Sequence, residues 1–318
     1  MAADFTLIIG ILLAILASFC FSLGFVFQKK GLLQGLPKIN FDNDIKNIIK
    51  SFYEFFKNKI WITGFLLGIL GWFPFIIAVS YVGIIIVQPI TSLGLIIFLI
   101  SSIKLLNEEI SKLEVFTAAI LLFAPILIAL SNVTNIYFDL FDFLIPFLIF
   151  FVISIIISIM CFYLSKVKKD SSLEGVLLTI IGVILSSIGA SFTNIFTQAL
   201  SDANIDLVSL FGWVEIVFGI FWFETYHIWL FCSFWGLIIF FMLGILFYQS
   251  GFQRGKASVI YLIINSFSII IPIIVGLAIF QQTLENYYLF FIALGIIIFS
   301  VLNLSKFQAK LETYSQKS

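Results

Sequence analysis

Hydrophobic residues in this chain run in blocks about as long as a bilayer core is thick, roughly 20 residues each, separated by short polar breaks. Nine blocks can be marked, at 5–27, 60–81, 83–104, 113–131, 143–164, 172–199, 226–249, 257–280 and 286–304. The expected fold is an all-α membrane protein of nine transmembrane helices. Between the first two blocks lies the longest basic loop, 31–59. There Phe41, Ile45, Ile48, Ile49, Phe52, Phe55 and Phe56 fall at helical spacing, with Lys46, Lys50 and Lys57 between them. That pattern predicts an amphipathic helix, either lying in the membrane interface or packed on the bundle. Residues 207–223 are apolar but contain Glu215, and acids flank them at Asp202, Asp206 and Glu224. This segment is expected to be interfacial or re-entrant.

Within the third block the chain reads Gln88-Pro89-Ile90-Thr91-Ser92. A proline in a membrane helix removes one backbone hydrogen bond and frees a carbonyl four residues back. Beside an amide and two hydroxyls, this is a place where something polar could bind. A related break occurs at Ile263-Ile264-Asn265-Ser266, and Phe280-Gln281-Gln282 echoes Leu106-Asn107-Glu108. The sixth block also repeats the first. A shift of 165 carries Gly10, Ser22 and Gly24 onto Gly175, Ser187 and Gly189. Two polar breaks at matching points of two hydrophobic halves point to a transporter built from repeats. The expected division is 5–164 (five helices), 172–304 (four helices) and a tail at 305–318. Five spans before the second copy make the two repeats inverted. In the second block, Trp61 reads as an interface residue, Gly64 and Gly68 as a small-xxx-small packing face, and Pro74 as a kink.

Charge orients this plan. With nine spans, all 17 Lys and Arg residues fall in loops on the same side. By the positive-inside rule that side is cytoplasmic, with the N-terminus outside and the C-terminus inside, and the expected residence is the plasma membrane. The opposite side holds Asp4, Asp139, Asp142, Asp202, Asp206, Glu215, Glu224 and Glu285. A one-signed field of this kind concentrates cations. It also arises simply because basic residues are excluded from that side.

Composition agrees with a membrane chain: 62% hydrophobic residues, 11% charged and a mean hydropathy of +1.18. Seventeen acids balance the seventeen bases, so net charge implies no nucleic-acid partner. Cys20, Cys161 and Cys232 are separated and lie inside apolar runs, against a disulfide framework or metal site. The first block follows no positive n-region and is too long for a signal h-region, so it reads as a retained helix.

The membrane interior offers neutral polar groups. Ser22, Gln88, Thr91, Ser92, Asn194, Gln198, Asn265 and Ser266 are the candidate substrate-binding residues. Ser18, Ser186 and Ser268 accompany them. Ser186, Ala190, Asn194 and Gln198 share one helix face at four-residue spacing. The competing reading is that such groups only hydrogen-bond neighbouring helices or their own backbone. His227 is the one histidine, and reads as an interface anchor. No nucleophile–base pair, zinc motif or nucleotide-binding motif is present, so neither an enzyme nor a cofactor is expected.

Four pieces carry a family resemblance: Phe27-Gln28-Lys29-Lys30-Gly31-Leu32-Leu33, Trp61 with Gly64, Val87-Gln88-Pro89, and Leu106-Asn107-Glu108-Glu109. In order and spacing they resemble the NIPA magnesium transporter family of the drug/metabolite transporter (EamA-like) superfamily. The resemblance covers most of residues 5–130. Where that family carries glycine-glutamate in the second helix, this chain has Gly71-Trp72. The resemblance implies a nine-helix carrier of Mg²⁺ or another divalent cation, moved through a cavity between the repeats. Export or exchange of small organic metabolites, as in other branches of the superfamily, is the alternative. A membrane scaffold without transport is the third reading.

Overall fold

The computed structural model describes residues 2–42, 44–82, 87, 90–91, 93–131, 142–169, 171–205, 209–280 and 284–315. Among the described residues the regular elements are all helices. In a bilayer an isolated apolar segment can satisfy its backbone only internally, which dictates this choice. Among the described residues five helices are long and apolar enough to cross a membrane, as in an integral membrane protein. They are α1 (Ala2–Leu32), α7 (Leu144–Val167), α8 (Ser172–Asp202), α10 (Thr225–Arg254) and α11 (Ala257–Ala278). The others are α2 (Ile45–Lys57), α3 (Lys59–Val82), α4 (Gly94–Leu106), α5 (Lys112–Leu121), α6 (Phe123–Leu130), α9 (Leu210–Phe218) and α12 (Tyr287–Ser315). Helices α3 and α12 are also long, 24 and 29 residues, with described apolar stretches at Lys59–Phe75 and Tyr287–Ser300, whereas α4 has 13 residues.

Local chemistry explains several boundaries. The block at 113–131 is two helices rather than one, broken at Leu122. Pro125 lies just beyond, and its ring crowds the carbonyl four residues back, at Leu121. Pro74, in contrast, sits inside a helix that continues to Val82. Asn107 ends α4 in the left-handed conformation (φ 54°), a geometry asparagine tolerates better than most residues. Ser111 and Glu114 form a reciprocal capping box at the start of α5. The segment at 207–223 holds α9 followed by one 3₁₀ turn, Gly219–Trp222. Thirteen helical residues reach about 20 Å, short of a hydrocarbon core.

Packing is organised by two long pairs. The most extensive contacts join α1 to α3 and α8 to α10. In each half the first long helix also packs against a third element, α4 for α1 and α11 for α8. Small residues explain the closeness. On α1, Gly10, Ala17, Gly24 and Gly31 recur every seven residues, and on α8 so do Gly175, Gly182 and Gly189. A seven-residue seam brings helices together with a left-handed supercoil. A Cβ on Gly24 would fall 2.8 Å from the Gly64 carbonyl oxygen, and one on Gly64 would fall 2.5 Å from the Gly24 carbonyl oxygen. In the second half a Cβ on Gly182 would fall 2.6 Å from the Tyr248 amide nitrogen. Gly68 differs from Gly64: its own Cβ position has nothing within 4 Å.

The main buried apolar cluster draws on both halves, with Val26, Trp61, Leu95 and Phe98 from the first and Val176, Phe252, Ile260 and Ile263 from the second. A separate cluster around Phe143, Phe147, Ile195, Leu230 and Phe280 involves α7 to α11. Helix α2 turns Phe55 inward, with Phe52 and Phe56 beside it, and leaves Ile45, Ile49 and Tyr53 exposed. Trp61 is not an interface residue. It is fully buried, because Gly31 lets α1 approach its backbone and α2 covers it with Phe52, Phe55 and Phe56.

Candidate functional site

Ser22 lies at the junction of α1, α4 and α11. Its hydroxyl donates to the Gly94 carbonyl oxygen at 2.8 Å and lies 3.2 Å from the Tyr261 hydroxyl. One turn earlier on α1, Ser18 donates to the Thr91 carbonyl oxygen at 2.9 Å. Gly94 has no side chain to obstruct these contacts: a Cβ there would lie 2.9 Å from Ser18 Oγ. The Tyr261 ring stacks on Phe98 with centroids 3.8 Å apart and planes 7° from parallel, and meets Phe25 edge-on at 5.3 Å. Tyr261 therefore joins the second half of the chain to the first at a polar point inside an apolar core.

Asn265 follows Tyr261 by one helical turn on α11. Its side-chain Nδ2 is buried with no hydrogen-bond partner among the described residues. Ser266, beside it, is fully buried and donates to the Leu262 carbonyl oxygen of its own helix at 2.7 Å. Thus Ser22 and Asn265 sit on elements that meet, whereas Ser266 is satisfied within α11. Thr91 is half-buried next to this junction. Gln88 and Ser92 lie outside the described residues, as do Gln281 and Gln282 of the second echo. Asn194 and Gln198 belong to another region, on α8 near Ile195 and Ala199 of the second cluster. There Gln198 Nε2 donates to Asp202 at 3.1 Å, an i, i+4 bond within the helix. Tyr261 was not among the sequence candidates. A polar-tipped aromatic one turn before Asn265, on the same face, was the available signal.

The motif residues at the basic end do something different: they clamp the turn between α10 and α11. Lys29, near the end of α1, is buried and donates from Nζ to the carbonyl oxygens of Phe252 and Gly255, the latter at 2.9 Å. A cation at a helix C-terminus meets unsatisfied carbonyls and the negative end of the macrodipole. On the other side of the turn, Glu108 accepts from the amides of Ala257 (2.7 Å) and Ser258 (3.2 Å), the first N–H groups of α11. Glu114 is fully buried; it pairs with Lys256 Nζ at 2.7 Å and accepts from Ser258 Oγ. Gln28 accepts from Gln249, whose Oε1 accepts from Trp61 Nε1 at 3.2 Å. Lys29 and Glu114 are buried in the protein although the sequence places them at the ends of the first and fourth blocks. They are buried because each has a charged or polar partner across the two halves, which offsets desolvation.

At the other end of α10, His227 is nearly buried between two acids. Its Nδ1 is 3.0 Å from Glu224 and its Nε2 3.9 Å from Glu215, and its ring stacks on Trp222 at 5.9 Å. The contacts fasten α9 and the 3₁₀ turn to α10. Among the described residues no group of three His, Cys, Asp or Glu side chains converges as a metal site. The three cysteines are free. No protein-family model, curated protein or solved structure matches the chain.

Proposed function

We propose that the chain is a multi-pass membrane carrier that moves a small solute between two inverted halves, past Ser22, Tyr261 and Asn265. The observation that carries this reading is the buried Nδ2 of half-buried Asn265, which has no hydrogen-bond partner among the described residues. Leaving a buried polar group unsatisfied costs about 1–3 kcal/mol, and a passing solute or water would supply the missing partner. The equivalent pairings of α1 with α3 and of α8 with α10 support two related halves. The positive-inside rule places the basic end in the cytoplasm.

The resemblance of the first half to magnesium carriers makes a divalent cation the first candidate. Mg²⁺ sheds water reluctantly, so hydroxyl and carbonyl oxygens such as those at Ser18, Ser22 and Thr91 could hold it hydrated. An inside-negative potential would drive two charges inward by roughly 4.6 kcal/mol per 100 mV. One observation favours an organic solute instead: Phe25, Phe98 and Tyr261 pack ring on ring one helical turn from the Asn265 Nδ2 donor. Growth of an uptake-deficient strain separates the two. Mg²⁺-dependent rescue, lost in the Thr91→Ala/Asn265→Ala double variant, supports the cation. Failure to rescue, together with protein-dependent accumulation or loss of an organic solute, supports the second reading.

A further inference from the structure

A cavity of about 310 Å³ opens at the basic end, away from the Ser22 junction. Its wall joins the loop after α1 to the end of α7, the start of α8 and the end of α10. Four cationic side chains line it (Lys38, Lys166, Lys169 and Arg254) against two acids, Asp42 and Glu174, leaving two positive charges in excess. Glu174 is held by Arg254 at 2.6 Å. Asp42 is shared by Lys166 at 3.0 Å and Lys169 at 2.7 Å. The rest of the lining is mixed, with Ser165 and Gln253 beside the rings of Phe41 and Phe162.

We propose that this cavity binds the phosphate group of an anionic phospholipid. The lysines are the groups a phosphate would meet, as point charges: Arg254 is held by Glu174, Ser250 and the Ile39 carbonyl, and Ser165 and Gln253 already donate to the Phe162 and Pro37 carbonyls. The volume exceeds that of a bare phosphate and leaves room for its attached alcohol. The neighbouring surface favours lipid over a soluble phosphate. Around α7 from the lining residues Phe162, Ser165, Lys166 and Lys169, the same helix exposes Ile156, Ile159, Met160, Tyr163 and Val167, an apolar strip on which acyl chains can lie. Basic pockets at helix ends facing the headgroup layer are suited to such lipids. Asp42 is then an internal stand-in for the phosphate: it occupies two lysines when the cavity is empty and is displaced when lipid enters.

The test uses the full chain, delipidated in detergent, with phosphatidylglycerol or phosphatidylcholine added back and the retained lipid counted by native mass spectrometry. Phosphatidylglycerol is expected to be retained over phosphatidylcholine. Asp42→Asn should raise its retention about threefold, the scale of one exposed ion pair removed from competition. Lys166→Gln/Lys169→Gln should lower it about thirtyfold, the weight of two lysines near an anionic surface. A merely structural role for Asp42 predicts the opposite sign for Asp42→Asn. Equal retention of both lipids, or no response to any of these variants, overturns the proposal. Competition by inorganic phosphate or glycerol phosphate at equal concentration assigns the cavity to a soluble phosphate and overturns the lipid.

Discussion

Glu108, just after α4 in the first half of the chain, caps a helix of the second half: its carboxylate accepts from the Ala257 amide at 2.7 Å and the Ser258 amide at 3.2 Å. Helix α11 therefore takes its N-terminal cap from a residue 149 positions away in sequence. Capping and dipole effects each stabilise by about 0.5–2 kcal/mol. Glu108→Ala should accordingly lower the unfolding temperature of the detergent-solubilised protein, and Glu108→Gln should retain part of the loss as a neutral acceptor. Intrinsic tryptophan fluorescence during heating is a suitable readout. An unchanged melting curve for Glu108→Ala would show that the contact adds nothing.

Gly64 and Gly68 should part company. A Cβ at Gly64 collides with α1 backbone, at 2.5 Å from the Gly24 carbonyl oxygen and 2.6 Å from the Gln28 amide nitrogen. Gly64→Ala should destabilise by about 1–3 kcal/mol through overpacking. Gly68→Ala meets open space and gains helix propensity, so it should be neutral or stabilise by up to about 1 kcal/mol. Size-exclusion profiles after stepwise heating distinguish the two. Equal behaviour would contradict the α1–α3 interface.

The Ser22–Tyr261 contact predicts coupling. Ser22→Ala and Tyr261→Phe should each cost about 1 kcal/mol, and the double variant should cost less than their sum by roughly 0.5 kcal/mol or more. Additive losses would mean that the two hydroxyls do not interact.

The loop after α1 should loosen in acid. Lys169 and Lys166, both bonded to Asp42, hold its carboxyl below the usual carboxylate range. A depressed folded pKa gives stability that is complete above the unfolded value and is lost as pH falls through the folded one. Cleavage of this loop should therefore be compared in wild type and Asp42→Asn with pepsin, which works in acid, across a series of exposure pH values; the variant should be cut faster where Asp42 is ionised in wild type. The difference should shrink once exposure falls well below about pH 4. The pair is exposed, so the difference should also shrink in high salt.

Much of the scaffold could be read from the chain. Apolar block length located α1, α7, α8, α10 and α11, because a bilayer demands that length. The shift of 165 picked out Gly10/Gly175 and Gly24/Gly189; of these Gly24, Gly175 and Gly189 stand close against a neighbouring helix, and all four fall on a seven-residue spacing of small residues. Ala17 with Gly182 belongs to the same seam and was legible by the same shift. The break at Leu122 was signalled by Pro125, yet apolar content alone hid it. The role of Lys29 and Glu108 was not legible. Their partners are backbone groups of a distant turn, and no side-chain pattern records such a partner. Trp61 misled for a related reason: its burial follows from Gly31 and the fold-back of α2, both tertiary facts.

The most direct test of the account is solute-resolved flux in proteoliposomes, with and without an inside-negative potential. The account predicts saturable, protein-dependent movement of a single solute class. A cation flux should rise with the potential, and any flux should fall at least about tenfold in Asn265→Ala if that residue supplies a transition-state contact of roughly 1.4 kcal/mol or more. Protein-free rates for every cation and organic solute tried, from a sample shown to be folded, would contradict it.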